Sequence, residues 1–147
     1  MFVSFEGADG SGKSTQAELL SETLAAEAHE VVLTREPGGT ELGERARELV
    51  LNGPEMGAWA EAALYAASRA EHVEEVIRPA LERGATVLCD RYIDSSLAYQ
   101  GVARGLGVDA AYRSLAARFP ERIVTVNADR APAEIGSEIR EQFRQRS

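Results

Sequence analysis

The chain has 147 residues, 44% of them apolar, and sets 16 basic against 24 acidic side chains for a net charge of −8. That size and apolar fraction fit one packed domain and exclude wholesale disorder, and the acidic balance argues against a nucleic-acid coat or a membrane-surface binder. The single cysteine, Cys89, excludes an internal disulfide framework and agrees with a reducing, cytoplasmic setting; no apolar run reaches membrane-span length, and Met1–Ser4 lack the charged start of a signal peptide. In chain order, Phe2–Glu6 is a short apolar run ending in glycines, which predicts a strand. Ala17, Leu20, Leu24 and Ala28 recur at helical spacing and predict a helix over Lys13–His29. Val31–Thr34 predicts a second strand, and Glu41–Leu51 a helix stopped by Asn52-Gly53-Pro54. An Ala-rich helix follows over Ala58–Arg83, and Pro79 inside it should kink or divide it. Thr86–Cys89 predicts a third strand ending at Asp90, followed by helices over Ser95–Arg104 and Asp109–Phe119. Ile123–Val126 predicts a fourth strand and Pro132–Arg144 a last helix with proline in its first turn.

No internal repeat or linker interrupts this order, so residues 1–147 read as one domain. The strands are continuous apolar runs, as expected of a parallel sheet covered by helices on both faces, an α/β fold. Ligands of such sheets bind beyond the carboxyl ends of the strands. The residues there are Gly7–Ser14, Arg35–Thr40, Asp90–Tyr92 and Asn127–Arg130.

Gly7, Ala8, Asp9, Gly10, Ser11, Gly12, Lys13 and Ser14 fit G-x-x-x-x-G-K-[ST] between a predicted strand and a predicted helix, the context of a phosphate-binding loop. Glycines let backbone N–H groups converge on phosphate oxygens, and the helix points its positive end at the same place. Lys13 would place a charge between the β- and γ-phosphates, and the Ser14 hydroxyl would face Mg²⁺. Asp90, at the end of a hydrophobic strand, stands where a second Mg²⁺-organising carboxylate belongs; capping of the next turn is its plainer reading. Arg91 and Arg35 are placed to grip a second phosphate with paired N–H donors, unless they are ordinary surface arginines. Fifteen of the basic residues are arginine and only Lys13 is lysine, so the N-K-x-D element of guanine-specific switch proteins is absent. The L-S-G-G-Q signature of transporter ATPases and a protein-kinase H-R-D loop are absent too.

Thr34–Thr40 (TREPGGT), Leu64–Arg69 (LYAASR), His72–Pro79 (HVEEVIRP) and Asp90–Gly101 (DRYIDSSLAYQG), with the phosphate loop, resemble the motifs of bacterial thymidylate kinases. The resemblance extends over nearly the whole chain. It implies a three-layer P-loop kinase fold whose parallel sheet has five strands in the order 2-3-1-4-5, four of them visible here. It implies transfer of the γ-phosphoryl group of Mg·ATP to dTMP, giving dTDP, in a homodimer. By position, Gly7–Ser14 with Thr15 would hold ATP phosphates, and Ser14 and Asp90 the Mg²⁺. Asp9 would contact the deoxyribose 3′-hydroxyl, and Arg35 and Arg91 the dTMP phosphate. Tyr65, where the family usually has Phe, would stack on thymine. Arg69 and Ser96 would read its edge, and Tyr99, with Gln100 nearby, would pack near C2′. Asn127 and Arg130 are weaker candidates for the adenine pocket. His29, His72, Cys89 and Trp59 are expected to be structural, with both histidines in surface packing and Trp59 packing a helix start. Glu44, Arg45, Arg47 and Glu48 are expected to form a solvated helix face.

The family is longer. Near Asp109–Ala111 it ordinarily has a helix, the fourth core strand, an arginine-bearing lid and another helix. Either those residues belong to the protein but not to this chain, or the deletion is real. In the second case Ile123–Asn127 is expected to pair directly with Phe2–Glu6 in a sheet of order 2-3-1-5. The loop has Gly10 and Ser11 where one branch of the family has an arginine, and the other branch places that arginine in the lid. Two further readings therefore stay open, a kinase for another nucleoside monophosphate and a lidless nucleotide-binding remnant with little catalysis.

Overall fold

The structure is a computed structural model that describes residues 1–96 and 108–147. The elements are β1 (Phe2–Phe5), α1 (Lys13–Ala26), β2 (Val31–Arg35), α2 (Glu41–Asn52), α3 (Ala58–His72), a π-helical turn (Val73–Ile77), α4 (Arg78–Glu82), β3 (Thr86–Asp90), α5 (Ile93–Ser96), α6 (Val108–Arg118) and α7 (Pro132–Arg144). The expected helix over Ser95–Arg104 lies mostly outside the described residues.

Three parallel strands form the sheet in the order β1-β3-β2, with Val3 opposite Leu88 and Leu33 opposite Leu88 on the other side. Strand β3 is central and its first four residues are buried, whereas β1 is half-buried and β2 leaves Leu33 and Arg35 exposed. Alternation along the strands sends side chains to two cores. Leu88, with Val3, Phe5 and Val31, packs under Leu20 and Leu24 of α1 and Phe143 of α7. Val87, with Phe2 and Val32, packs under Ile77, Ala80 and Ala85 on the opposite face. Helices on both faces give the three layers that the continuous apolar strands predict. All three strands end on the same side, so β1, β2 and β3 deliver the phosphate loop, the Arg35–Thr40 segment and Asp90–Arg91 to one edge.

Pro79 divides the Ala-rich helix as expected. It has no N–H to give to the carbonyl four residues back and its ring crowds that carbonyl. The backbone widens into the π-helical turn before it, and Pro79 occupies the first turn of α4.

The expected fourth strand does not form. Ile123–Val126 takes no regular structure, and the sheet of the described residues stops at β1. A sheet of order 2-3-1-5 is therefore not built. β-branched residues become a strand only when paired, and although the outer edge of β1 is open among the described residues, Ile123–Val126 does not pair with it. The segment is held by side chains instead: Arg122 makes a two-pronged bond to Asp94 of α5 at 2.6 and 2.9 Å and lies over the Phe119 ring.

Candidate active site

The site starts where β1 gives way to α1. Gly12 adopts a left-handed conformation (φ 84°), and α1 begins at Lys13 with neither a side-chain cap nor an acidic residue in its first turn. A helix end left this bare presents unpaired N–H groups and a partial positive charge, a ready anion site. By contrast, α2 is capped by the Thr40 hydroxyl, which accepts from the Gly43 N–H at 3.0 Å. The Lys13 ammonium folds back to the Ala8 carbonyl at 2.7 Å. Burial, and secondarily the nearby Arg91, hold the Lys13 pKa below its ordinary value.

Asp90 closes the same site from the end of β3. The Ser14 hydroxyl donates to Asp90 Oδ2 at 2.5 Å, while the buried Oδ1 has no hydrogen-bond partner among the described residues. A buried carboxylate oxygen without a donor is costly unless a cation or water meets it. Hard oxygen donors from a hydroxyl and a carboxylate are the set that Mg²⁺ prefers, so these residues fit that ion.

Arg91 follows with a left-handed backbone (φ 69°), unusual for a residue with a side chain. That turn sends its guanidinium across the phosphate loop, where it bonds the Gly7 carbonyl and Ser95 Oγ, each at 3.2 Å, and forms an ion pair with Asp9. Behind it lies a residue that the sequence reading missed. Glu6 accepts from the Tyr92 N–H at 2.8 Å and from the hydroxyls of Ser95 and Tyr112, and burial raises its pKa. It ties the end of β1 to the turn after β3. Burial pushes the Cys89 thiol up as well, so it stays protonated and inert, as expected.

Arg35 leaves the end of β2 and pairs with Glu44 at 2.9 Å, while Glu44 also accepts the Gly39 N–H at 3.0 Å. Those two contacts hold the Glu44 carboxyl below its usual range, the backbone bond contributing most. Arg47 donates to the Pro37 carbonyl at 3.0 Å and lines the cleft. Glu44, Arg45 and Glu48 are exposed, as expected of a solvated helix face, and only Arg47, half-buried against the Pro37 carbonyl, departs from that expectation. The i, i+4 spacing that brings Arg45 to Glu41 in water leaves Glu44 and Arg47 turned toward the loop.

Two cavities adjoin. One of about 230 Å³ is lined by Lys13, Ser14, Asp90 and Arg35. The other, of about 290 Å³, is lined by Tyr65, Arg69, Tyr92 and Leu51. Asp9, Glu36, Arg47 and Arg91 line both. The Arg69 guanidinium lies 5.3 Å from the Tyr92 ring centroid and gives its Nε–H to Glu36 at 2.7 Å.

Other expectations fare differently. Thr15 lies exposed in the first turn of α1. Asn127 accepts the Asp129 N–H with its side chain, Arg130 pairs with Glu138, and neither lines the two cavities. Ser96 ends α5, but its side chain, like Tyr99 and Gln100, lies outside the described residues. His29 is exposed at a helix end, as expected. His72 is not on the surface: its side chain is 0% exposed, with both ring nitrogens hydrogen-bonded. Trp59 does not pack a helix start, being 90% exposed. Local pattern misplaced both, because α3 packs along α2 and buries only Ser68 and His72, near its C-terminal end. Among the described residues, no helix is long and apolar enough to cross a membrane.

A family model described as thymidylate kinase matches residues 5–124. A thymidylate kinase of Pelotomaculum thermopropionicum is 51% identical over 135 residues, 88% of this chain and 62% of that protein. One of Clavibacter sepedonicus is 51% identical over 140 residues, 92% of this chain and 66% of that protein. The chain thus spans less than two thirds of either relative. The crystal structure of an Ehrlichia chaffeensis thymidylate kinase superposes with a TM-score of 0.90 at 31% identity, covering 98% of both chains. With the family model matching most of the chain and the fold shared throughout, the chain belongs to the thymidylate kinase family.

Proposed function

We propose that the chain binds ATP and dTMP in the two adjoining cavities and transfers the γ-phosphoryl group to dTMP, giving dTDP. One observation supports this most: Arg91 and Asp9 line both the cavity at the bare helix end and the cavity walled by Tyr65 and Arg69. An arginine between two anion sites can hold donor and acceptor phosphates in line, and positioning plus charge neutralisation supply most of phosphoryl-transfer catalysis. In this reading Gly7–Gly12 and the start of α1 cradle the ATP phosphates. Lys13 swings from the Ala8 carbonyl to the γ-phosphate. Ser14 and Asp90 would hold Mg²⁺, which neutralises phosphate charge when bound. Arg35 and Arg91 take the dTMP phosphate, Asp9 the 3′-hydroxyl, Tyr65 stacks on the base, and Arg69 reads its edge with Ser96. By family position alone, Tyr99 and Gln100 would serve the sugar end, and Asn127 and Arg130, which line neither cavity, would serve adenine.

The family likeness and the half-bare helix α3 together support a homodimer, and the one thiol suits the cytoplasm. A second reading is favoured by one observation. β1 has no strand partner on its outer edge among the described residues, and Ile123–Val126 does not fill that edge. A protein lacking the strand and lid there binds nucleotides with slow turnover. A coupled ADP-release assay offering dTMP, dUMP, CMP and AMP separates the readings. Turnover at least tenfold faster with dTMP than with CMP or AMP is expected. Preference for AMP refutes the thymidylate assignment, and dTMP binding without dTDP favours the second reading.

A further inference from the structure

His72 lines neither cavity, yet both of its ring nitrogens are hydrogen-bonded. Its Nδ1 meets Glu36 Oε1 at 3.1 Å, and its Nε2 meets the Thr34 hydroxyl at 2.7 Å. The other oxygen of Glu36 accepts the Arg69 Nε–H at 2.7 Å. His72 and Glu36 are almost entirely buried, and Arg69 emerges at the cavity wall. The segment after β2 is shaped around this chain of bonds. Gly39 has φ +81°, and a Cβ there would stand 2.7 Å from Thr34 Oγ1 and 2.8 Å from His72 Nε2. The Gly38 N–H donates to the buried Ser68 hydroxyl at 3.3 Å, which pins the loop to the same helix face. A bare loop-to-helix clamp needs no buried carboxylate; apolar side chains of equal volume serve as well and avoid the desolvation cost.

We infer, resting on the dTMP reading above, that His72 is a positioning residue for base recognition, acting through Glu36 on Arg69. A carboxylate only accepts, so the Nδ1–H is directed at Glu36 and Thr34 meets the other nitrogen, which fixes the ring. The fixed ring fixes Glu36. Glu36 then holds Arg69 by Nε while Tyr92 supports the guanidinium from its face. An arginine whose Nε is fixed by a buried carboxylate and whose face rests on a ring keeps its guanidinium plane in one orientation, which is what reading a base edge requires.

Two polar variants separate this from a structural role. In His72→Asn the amide takes the place of Nδ1 and keeps the bond to Glu36. In His72→Gln the amide reaches toward Thr34 and leaves Glu36 Oε1 without its donor. Calorimetric binding is measured with dTMP and with 2-deoxyribose 5-phosphate, which has no base. The expected result is a dTMP Kd within about threefold of the parent for His72→Asn, and about tenfold weaker for His72→Gln. The sugar phosphate binds all three proteins alike. Equal losses in the two variants, or parallel losses for dTMP and the sugar phosphate, overturn the inference. A parent that binds dTMP no better than the sugar phosphate overturns the dTMP reading itself. If a variant does not fold, the parent decides by NMR: the His72 Nδ1–H and Arg69 Nε–H signals must shift with dTMP and stay with the sugar phosphate. No shift with dTMP overturns the inference.

Discussion

Lys13 is the only lysine of the chain, and the fold makes it carry its charge at a cost. Burial and the neighbouring Arg91 lower its pKa below the ordinary 10.5, so the cation disfavours the folded state at every pH below that lowered value. The cost is recovered only as pH rises from the lowered value toward 10.5. An arriving polyphosphate reverses the balance, because an anion at the same helix end favours the charged form. Lys13→Met should therefore leave the ligand-free Tm within about 2 °C of the parent or raise it. The same change should remove the ATP-dependent rise, which for ATP at a hundred times its Kd amounts to about 2.7 kcal/mol, or roughly 5–10 °C. Thermal melts with and without Mg·ATP check both, and an undiminished ATP shift in the variant refutes the role given to Lys13. Lys13 and Ser14 were legible because the glycine-rich loop that places them is local, and Asp90 because it ends a hydrophobic strand, although its partner Ser14 lies 76 residues away. Glu6 and His72 were not, because their partners stand far off in sequence: Tyr92 for one, Thr34 and Glu36 for the other. No local pattern announces a hydrogen bond across 86 residues. Arg47 was hidden differently, since a charged residue on an amphipathic helix looks the same whether it faces water or a cleft.

Among elements, the strand–loop–helix junctions were the most readable, since glycines, caps and prolines act locally. The Pro79 division and the three strands β1, β2 and β3 belong to this class. Ile123–Val126 does not, because an apolar β-branched run records a preference that only a partner strand can realise. The least forgiving junction joins β2 to α2. At Gly39 a positive φ coincides with contacts on Thr34 and His72 that are shorter than any real Cβ makes. Gly39→Ala therefore combines left-handed strain with overpacking and should cost about 2–4 kcal/mol, lowering the Tm by roughly 5–15 °C. Gly84→Ala serves as the comparison. It has a similar φ of +86° but open space around its Cβ, so it suffers the strain alone, about 1–2 kcal/mol. Equal losses in the two variants, read by chemical denaturation, would show that the packed cluster under Gly39 contributes nothing.

At the scale of the whole molecule, charge and surface pull in different directions. A net charge of −8 repels polyanions, so attraction to phosphates must come from Lys13, Arg35, Arg47 and Arg91 gathered at one edge. The opposite problem appears along α3. Over 15 residues it buries only Ser68 and His72, while Ala60, Ala63, Ala67 and Ala70 face outward and Trp59 is 90% exposed. Small residues let a second helix approach closely, and a twofold axis sets the same face against itself. A tryptophan covers some 200 Å² when buried, worth about 5 kcal/mol on each protomer before the entropy of association is deducted. Trp59→Glu removes that area and brings two like charges into the contact. The parent is expected to sediment as a dimer at micromolar concentration and the variant as a monomer, a rise of at least about a hundredfold in the dimer Kd. Because Trp59 lines neither cavity, dTMP binding per chain should survive the change. A variant that still sediments as a dimer would assign the association to another face, and a parent that is monomeric throughout would leave α3 to a different partner.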